Sequence, residues 1–369
     1  MRYYIIAGEA SGDLHGSNLI KGLKAEDTTA EFRFWGGDFM SDAAGISPVR
    51  HFRDTAVMGL GDVLGKAGKI LGNVRFCKKD IVAWNPDILI LIDYPGFNFK
   101  MAEFAHKRGF KVFYYIAPKT WASRESRNRK LKSFVDKLFI IFPFEKTYFD
   151  SKGLSYVYAG NPLLDAVDAH EYTPVTKEKY IAVLAGSRKG EISRMMPVCM
   201  QVADMMPDYK FVIAGAPARF ESDYSGYIGA RGNVSLAFGR TYDILRYADA
   251  AIINSGTASL EAALIGTPQV VCWSTSPVTA FLARKVLHVL DHIKFISLAN
   301  LILDKVIFRE LIQEDFNAEN VSAELKSVIY DPDRRSAMLA DYAAVRAALG
   351  GSGASRSVAK AMISEYRAS

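Results

Sequence analysis

Cysteine is scarce in this chain. Three residues in 369, Cys77, Cys199 and Cys272, stand far apart and form no C-x-x-C. That pattern excludes a disulfide framework and a zinc knuckle. Long apolar runs are missing too, none approaching the roughly 20 residues that cross a bilayer as a helix. The apolar opening, Tyr3-Tyr4-Ile5-Ile6-Ala7, is short and lacks the flanks of a signal peptide, so it reads as a strand. The expected location is the cytoplasm or its membrane face. No GxxxxGK[ST] occurs, which disfavours ATP or GTP hydrolysis, and no GxGxxG marks a dinucleotide site. Internal short repeats and low-complexity tracts are absent.

What is present is enough material for two cores. At 369 residues with half of them hydrophobic, the chain is too long for one ordinary domain. A net charge of +6 and a pI near 9.0 favour an acidic partner such as nucleic acid, anionic lipid or a phosphorylated substrate, although ordinary solubility explains the same balance.

Strand and helix signals alternate. Strands are predicted at Tyr3–Ala7, Phe32–Trp35, Ile88–Ile92, Val112–Ile116, Leu138–Ile141 and Tyr156–Tyr158. Ile88-Leu89-Ile90-Leu91-Ile92 shows no alternation, as expected of a strand covered on both faces. Helical spacing runs from Phe97 to Lys107. A polar stretch from Asp168 to Lys179 breaks the pattern and reads as a linker. Strands resume at Tyr180–Leu184, Phe211–Ala214, Val234–Leu236, Ala250–Ile253 and Gln269–Cys272. The fold class expected is α/β, two Rossmann-like domains with mostly parallel sheets facing across a cleft. The domains are predicted at 1–167 and 168–349. A joint at Gly350-Gly351-Ser352-Gly353 then leads to a helix, Ala354–Tyr366. That segment, 354–369, either completes the first domain or forms a mobile tail.

Several strand ends carry unusual loops. Gly8-Glu9-Ala10-Ser11-Gly12-Asp13 follows the first strand, and a Gly-Ser-Gly turn opening a helix brings backbone close to a ligand. Its carboxylates, Glu9 and Asp13, would repel phosphate, so the turn suits hydroxyl groups such as those of a sugar. Asp93 follows Ile88–Ile92 and precedes Tyr94-Pro95-Gly96, a place for a general base or for an Asx turn capping the next helix. In the second half, Gly186-Ser187-Arg188 with Glu191 forms a strand-to-helix turn where Arg188 can clamp a phosphate. Asn254-Ser255-Gly256-Thr257 opens another helix, with Glu261 one turn in. That pattern suits a nucleotide diphosphate and its ribose, or a plain helix cap with a solvated Glu261. Trp121 is a core anchor or a ligand platform, and the basic run Ser123–Lys132 is a solvated face or a phosphate contact.

Between Val57 and Gly72 a glycine-rich segment places Leu60, Val63, Leu64, Ala67, Ile70, Leu71 and Val74 on one helical stripe, with Asp62, Lys66 and Lys69 opposite. It suits an anionic bilayer surface or packing on the sheet.

In this order, these residues resemble the lipid-A-disaccharide synthases, family-19 glycosyltransferases. The motifs are Gly8–Asp13, Ala56-Val57-Met58-Gly59, Asp93-Tyr94-Pro95-Gly96-Phe97-Asn98, Pro118 with Trp121, and Pro143-Phe144-Glu145. They continue through Gly186-Ser187-Arg188 with Glu191, Ser255-Gly256-Thr257-Ala258 with Glu261, and Ser297-Leu298 with Asn300-Leu301. Each is weak alone; the ordered set is specific and spans nearly the whole chain. The resemblance implies a GT-B fold and transfer of 2,3-diacylglucosamine from UDP to the 6-hydroxyl of 2,3-diacylglucosamine 1-phosphate (lipid X). The products are UDP and a β(1→6) disaccharide 1-phosphate, formed with inversion and without metal or cofactor.

On that template Asp93 is the candidate base, and Glu9, Ser11, Gly12 and Asp13 orient sugar hydroxyls or the base. Ser187, Arg188, Glu191, Ser255, Gly256 and Thr257 hold UDP, Glu261 takes the ribose, and Asn300 and Gln313 line the nucleotide side. The implied partners are UDP-diacylglucosamine, lipid X and an anionic membrane surface on the cytoplasmic side, and no nucleic acid. The final joint permits exchange between subunits of a homodimer. Three positions depart from the family pattern: Asn161 where histidine is common, Ala299 where proline is common, and Ser123 in place of a second tryptophan. The rival readings are another UDP-sugar GT-B enzyme, such as a lipid-linked N-acetylglucosaminyltransferase or a UDP-N-acetylglucosamine 2-epimerase, and a non-catalytic nucleotide-sugar-binding membrane protein.

Overall fold

A computed structural model describes residues 1–55, 63–121, 125–217, 219–275 and 294–368, without the side chains of 55 and 63–67. Ala56-Val57-Met58-Gly59, Leu60, Asp62 and Ser123 lie outside the described residues, as do the side chains of Val63, Leu64, Lys66 and Ala67. The chain divides into two compact units, Met1–Ala166 with Leu349–Ser369, and Val167–Ala348.

The first unit is built on β1 (Arg2–Ala7), β2 (Glu31–Gly36), β3 (Arg50–His51), β4 (Ile88–Ile92), β5 (Lys111–Tyr115), β6 (Lys137–Ile140) and β7 (Tyr156–Tyr158). They lie in the order β3-β2-β1-β4-β5-β6-β7, every pair parallel. The order reverses between β1 and β4, which is where open α/β sheets leave a crevice at their carboxyl ends. All five residues of β4 are fully buried, which explains their unbroken apolar run. Alternate residues share a face: Tyr4, Ile6, Leu89, Leu91, Val112, Tyr114, Leu138 and Ile140 pack into one core with Val74, Cys77 and Ile81 and with Phe97, Met101 and Ala105. Burial of each such side chain is worth about 1.5–3 kcal/mol.

The helix Ala354–Arg367 returns to this unit and lies against the helix Ala10–Glu26. At Gly22 an added Cβ would stand 2.8 Å from the Ser355 carbonyl oxygen, so the backbones nearly touch. Asp165 caps the returning helix, accepting from the N–H groups of Gly353 (2.5 Å), Ala354 (3.2 Å) and Ser355 (2.7 Å). Arg356 pairs with Glu26 at 2.5 Å and Lys137 with Glu365 at 3.0 Å.

The second unit contains β8 (Tyr180–Leu184), β9 (Lys210–Gly215), β10 (Val234–Phe238), β11 (Ala250–Asn254), β12 (Gln269–Trp273) and β13 (Glu310–Ile312). Their order is β10-β9-β8-β11-β12-β13, again parallel throughout, with the reversal between β8 and β11. The polar stretch after Asp168 is tied to this unit, where Asp243 accepts the Thr173 N–H at 2.9 Å and lies 3.0 Å from His170 Nε2.

Candidate active site

In the first unit, Ala7 is paired with Ile92, so Gly8 and Asp93 leave the sheet side by side at the β1/β4 reversal. Gly8 has no room for a side chain, because a Cβ there would stand 2.3 Å from Tyr94 Cγ. Asp93 and Tyr94 both adopt left-handed backbone (φ 43° and 47°), and Ile116 at the end of β5 does the same (φ 60°). Such conformations cost on the order of 1–3 kcal/mol each and persist where the surroundings over-determine them. Here they do. The Asp93 carbonyl oxygen accepts from Tyr114 OH (2.5 Å) and Asn98 Nδ2 (2.8 Å), and the Asp93 N–H donates to the Tyr115 carbonyl (3.2 Å). Pro95 then starts the helix Pro95–His106 with its φ already suited to a first turn. The sequence pattern suggested a Pro-Gly turn with the helix from Phe97; the turn instead sits one step earlier, at Asp93–Tyr94.

With its main chain held, Asp93 keeps its carboxylate half-buried. Burial raises its pKa above the ordinary carboxylate range, and Glu9 adds to the rise; Lys119, the Tyr94 N–H and Arg127 oppose it. Glu9 and Ser11 are exposed at the mouth of the same turn, and Gly12 lets the helix approach the sheet, a Cβ there lying 3.2 Å from Ala7 Cβ.

Asp13 is different. It is 2 % exposed, and its carboxylate accepts from the N–H groups of Gly37 (2.7 Å), Met40 (3.1 Å) and Phe39 (3.1 Å). It therefore caps the helix Asp38–Ala44, and its oxygens are committed to main chain. The expectation that Asp13 orients a sugar hydroxyl or the base is corrected to a role in fixing the loop after β2.

From the Asp93 turn a file of aromatic rings leads outward: Tyr94 on Phe97 (5.6 Å between centroids), Phe97 on Trp35 (5.2 Å), and Trp35 on Phe76 (6.2 Å). Phe76 is exposed on the helix Val63–Trp84. Trp121 packs edge-on against Phe144 at 5.0 Å. Glu145, which the residue-by-residue reading passed over, is 1 % exposed and accepts the N–H groups of Ile141 (3.1 Å) and Phe142 (3.0 Å). Burial pushes its carboxyl up to about 7. Its signal was the Pro143-Phe144-Glu145 motif. Asn161 is fully buried, donating to the Ile141 carbonyl (3.0 Å) and accepting from the Leu163 N–H (2.9 Å), so its amide is engaged with main chain.

In the second unit, the loops after β8 and β11 meet at the other reversal. Gly186 has φ 103°, and a Cβ there would lie 2.6 Å from Glu191 Oε2 and 2.7 Å from Asn254 Nδ2. Glu191 Oε2 accepts the N–H groups of Ser187 (2.9 Å) and Arg188 (3.2 Å), so this carboxylate shapes the loop. The Arg188 guanidinium, 74 % exposed, remains available beyond a 3.2 Å contact with Glu191. Ser255 is pinned by its N–H to the Cys272 carbonyl (2.8 Å) and its hydroxyl to the Ile296 carbonyl (3.1 Å). Gly256 precedes the helix Thr257–Ile265, whose first N–H groups and dipole favour an anion. Glu261 Oε1 accepts from Tyr242 OH at 3.0 Å; burial raises its pKa and the tyrosine lowers it.

Two predicted contacts are otherwise engaged. Asn300 is fully buried, with Nδ2 on the Phe308 carbonyl and Glu310 Oε1 (both 3.1 Å) and Oδ1 on the Ile307 N–H (2.9 Å). Every group it has is used to tie the helix Leu298–Leu303 to β13, so its expected place on the nucleotide side is corrected to a packing role. Gln313 Oε1 accepts the Thr275 N–H at 2.6 Å, which joins the ends of β12 and β13. Among the described residues no group of three or more His, Cys, Asp and Glu side chains is arranged to hold a metal, and no helix is long and apolar enough to cross a membrane.

Comparisons with known proteins agree with this architecture. The putative UDP-N-acetylglucosamine 2-epimerase of Listeria monocytogenes superimposes with a TM-score of 0.71 at 14% identity, covering 100% of this chain and 97% of that one. The UDP-GlcNAc 2-epimerase of Neisseria meningitidis, solved with UDP-GlcNAc, gives 0.69 at 13% identity, covering 99% and 100%. At such identities the likeness shows the GT-B fold alone, which epimerases and glycosyltransferases share. Sequence goes further. The lipid-A-disaccharide synthase of Geobacter metallireducens is 36% identical over 373 residues, covering 97% of this chain and 95% of that protein. That of Myxococcus xanthus is 32% identical over 375 residues, covering 98% and 97%. The family model for lipid-A-disaccharide synthetase matches residues 3–362, and the chain belongs to that glycosyltransferase family.

Proposed function

We propose that this enzyme transfers 2,3-diacylglucosamine from its UDP donor to the 6-hydroxyl of 2,3-diacylglucosamine 1-phosphate, with inversion at the anomeric carbon. The observation that carries the reading is Asp93: a half-buried carboxylate on a strained, fully braced turn at a sheet reversal, in a chain of this family.

In the mechanism, Asp93 takes the proton of the acceptor hydroxyl as its oxygen attacks the donor's anomeric carbon. The new C–O bond forms on the face opposite UDP, and the bond to the β-phosphate oxygen breaks, its electron pair leaving with UDP. Charge on that leaving group is met by Arg188 and by the N–H groups at Gly256 and Thr257. Glu261 accepts the ribose hydroxyls. Glu9 and Ser11 orient sugar hydroxyls at the Asp93 turn. Asp13, Glu191, Asn300 and Gln313 hold the loops that carry these groups.

UDP release is the test. With UDP-2,3-diacylglucosamine, the enzyme should release UDP when lipid X is added and not when N-acetylglucosamine or a polyprenyl-linked acceptor is added. Release without acceptor, or C2 epimerisation of UDP-N-acetylglucosamine, would favour the rival enzymes.

Both substrates of the proposed reaction are amphiphiles, and an exposed apolar patch on the first unit supports a membrane-facing surface. The predicted apolar stripe divides on the helix Val63–Trp84. Val74, Cys77 and Ile81 are buried, whereas Ile70 (39 %) and Leu71 (52 %) are exposed beside exposed Lys69, Arg75 and Lys79. Asp80 moors the buried half, accepting from Tyr4 OH (2.6 Å) and from Arg33 Nε (2.8 Å). We assign the exposed half to the cytoplasmic face of an anionic membrane, where each lysine near the surface adds about 1 kcal/mol. Ile70→Glu with Leu71→Glu should weaken flotation with phosphatidylglycerol vesicles about tenfold, and high salt should weaken the parent protein's flotation. Unchanged flotation of a folded double variant would refute this surface.

A further inference from the structure

Glu261 differs from the other carboxylates of the nucleotide loops in how its oxygens are used. Oε1 accepts from Tyr242 OH at 3.0 Å, and among the described residues no second side chain donates to it. Tyr242 lies on the helix Thr241–Tyr247, which precedes β11, and Glu261 on the helix that follows it. The phenol ring is braced from behind: His170 meets it edge-on with centroids 5.3 Å apart. His170 is itself held by Asp243 (3.0 Å), which also accepts from the Thr173 N–H (2.9 Å) and Arg240 Nε (3.0 Å). Burial first, then the neighbouring carboxylate, raises the phenol's pKa far above its ordinary value, so the hydroxyl is a proton donor at every working pH.

A ribose presents two donors on adjacent carbons. A carboxylate accepts both only if its plane is fixed, and a glutamate on a helix has three side-chain torsions that leave that plane free. A hydroxyl anchored on one oxygen restricts this freedom and leaves the other oxygen without a side-chain donor among the described residues. We propose that Tyr242 is a positioning residue that locks the Glu261 carboxylate for the vicinal diol of the nucleotide sugar, and so sets the preference of this site for ribo- over 2′-deoxyribonucleotides. The inference rests on the reading of Glu261 as the ribose acceptor, and the following experiment separates the two.

Dissociation constants for UDP and 2′-deoxy-UDP are measured by calorimetry on the full chain, on Glu261→Gln and on Tyr242→Phe. The parent protein should prefer UDP by about tenfold or more, the range expected when a hydrogen bond to a charged group is lost. Glu261→Gln should bring the ratio close to one. Tyr242→Phe should lower the ratio at least threefold (on the order of 0.7 kcal/mol) while leaving the affinity for 2′-deoxy-UDP within about twofold. A parent ratio near one would overturn the ribose reading and this proposal with it. A parent preference abolished by Glu261→Gln but kept by Tyr242→Phe would overturn the proposal alone. Equal weakening of both nucleotides in Tyr242→Phe would also overturn it, reducing Tyr242 to packing. If the phenylalanine variant does not fold, Tyr242→Gln, too short to reach Glu261, is read by the same ratio.

Discussion

Asp93→Asn should lower turnover by about 10²–10⁴-fold while UDP affinity stays within about twofold of the parent. Asparagine is isosteric, and the groups that hold this turn act on the Asp93 main chain: Tyr114 and Asn98 on its carbonyl, the Tyr115 carbonyl on its N–H. The turn therefore survives the substitution and only proton acceptance is lost. The pH profile carries the same information. A base works in its ionised form, and burial holds the Asp93 pKa above the usual carboxylate range despite Lys119 and Arg127. Activity should thus fall as pH is lowered through a midpoint higher than that of an ordinary aspartate, and rise to a plateau above it. In Asp93→Asn the residual rate should lose this acid limb. Steady-state kinetics across pH, with UDP binding by calorimetry, measures both; near-parental turnover would remove Asp93 from the mechanism.

Gly8→Ala should be nearly as damaging although residue 8 has no side chain to take part in the chemistry. The added Cβ would stand 2.3 Å from Tyr94 Cγ, well inside contact distance. Tyr94 has little room to retreat, since its backbone is left-handed and its ring is stacked on Phe97 at 5.6 Å. The strain passes to Asp93, the preceding residue. A displacement on the order of 1 Å at a reacting group costs about 10²-fold in rate, and kcat should fall by that order. Removing the obstructing ring in the double variant Gly8→Ala with Tyr94→Ala should recover part of the loss. Kinetics on the single and double variants, checked by melting temperature, decides the matter. A fully active Gly8→Ala would mean that the β1 and β4 turns are not coupled.

Much of this is legible in the sequence. Apolar runs marked β1, β4, β8 and β11, and the loops behind them are the ones at the two sheet reversals. The strands missed were β3 and β13, two and three residues long at sheet edges, too short to show a period. Side-chain partners were less legible, because they depend on residues far away in sequence. Glu9 and Asp13 look alike in the first loop. Only the return of Gly37 to Asp13, 24 residues on, shows that the second is spent on a helix cap. Asn300 looked like a ligand contact until Phe308 and Glu310 closed on it. The Asp93 turn was found but its shape was not. The residue before a proline normally avoids α-type backbone, and Tyr94 adopts a left-handed one because Tyr114, Asn98 and Phe97 hold the turn in place. Tyr242 carried no pattern at all; its part comes from two helices meeting across β11.

The proposed reaction is an inverting transfer to a primary alcohol, and its stereochemistry and regiochemistry are recorded in the product. Lipid X and UDP-2,3-diacylglucosamine are incubated with the enzyme, and the disaccharide is isolated for proton and carbon NMR. A β(1→6) linkage is expected, seen as a large H1–H2 coupling and a downfield shift at C6 of the acceptor. An α linkage, attachment at another oxygen, or UDP formed with no disaccharide would contradict it.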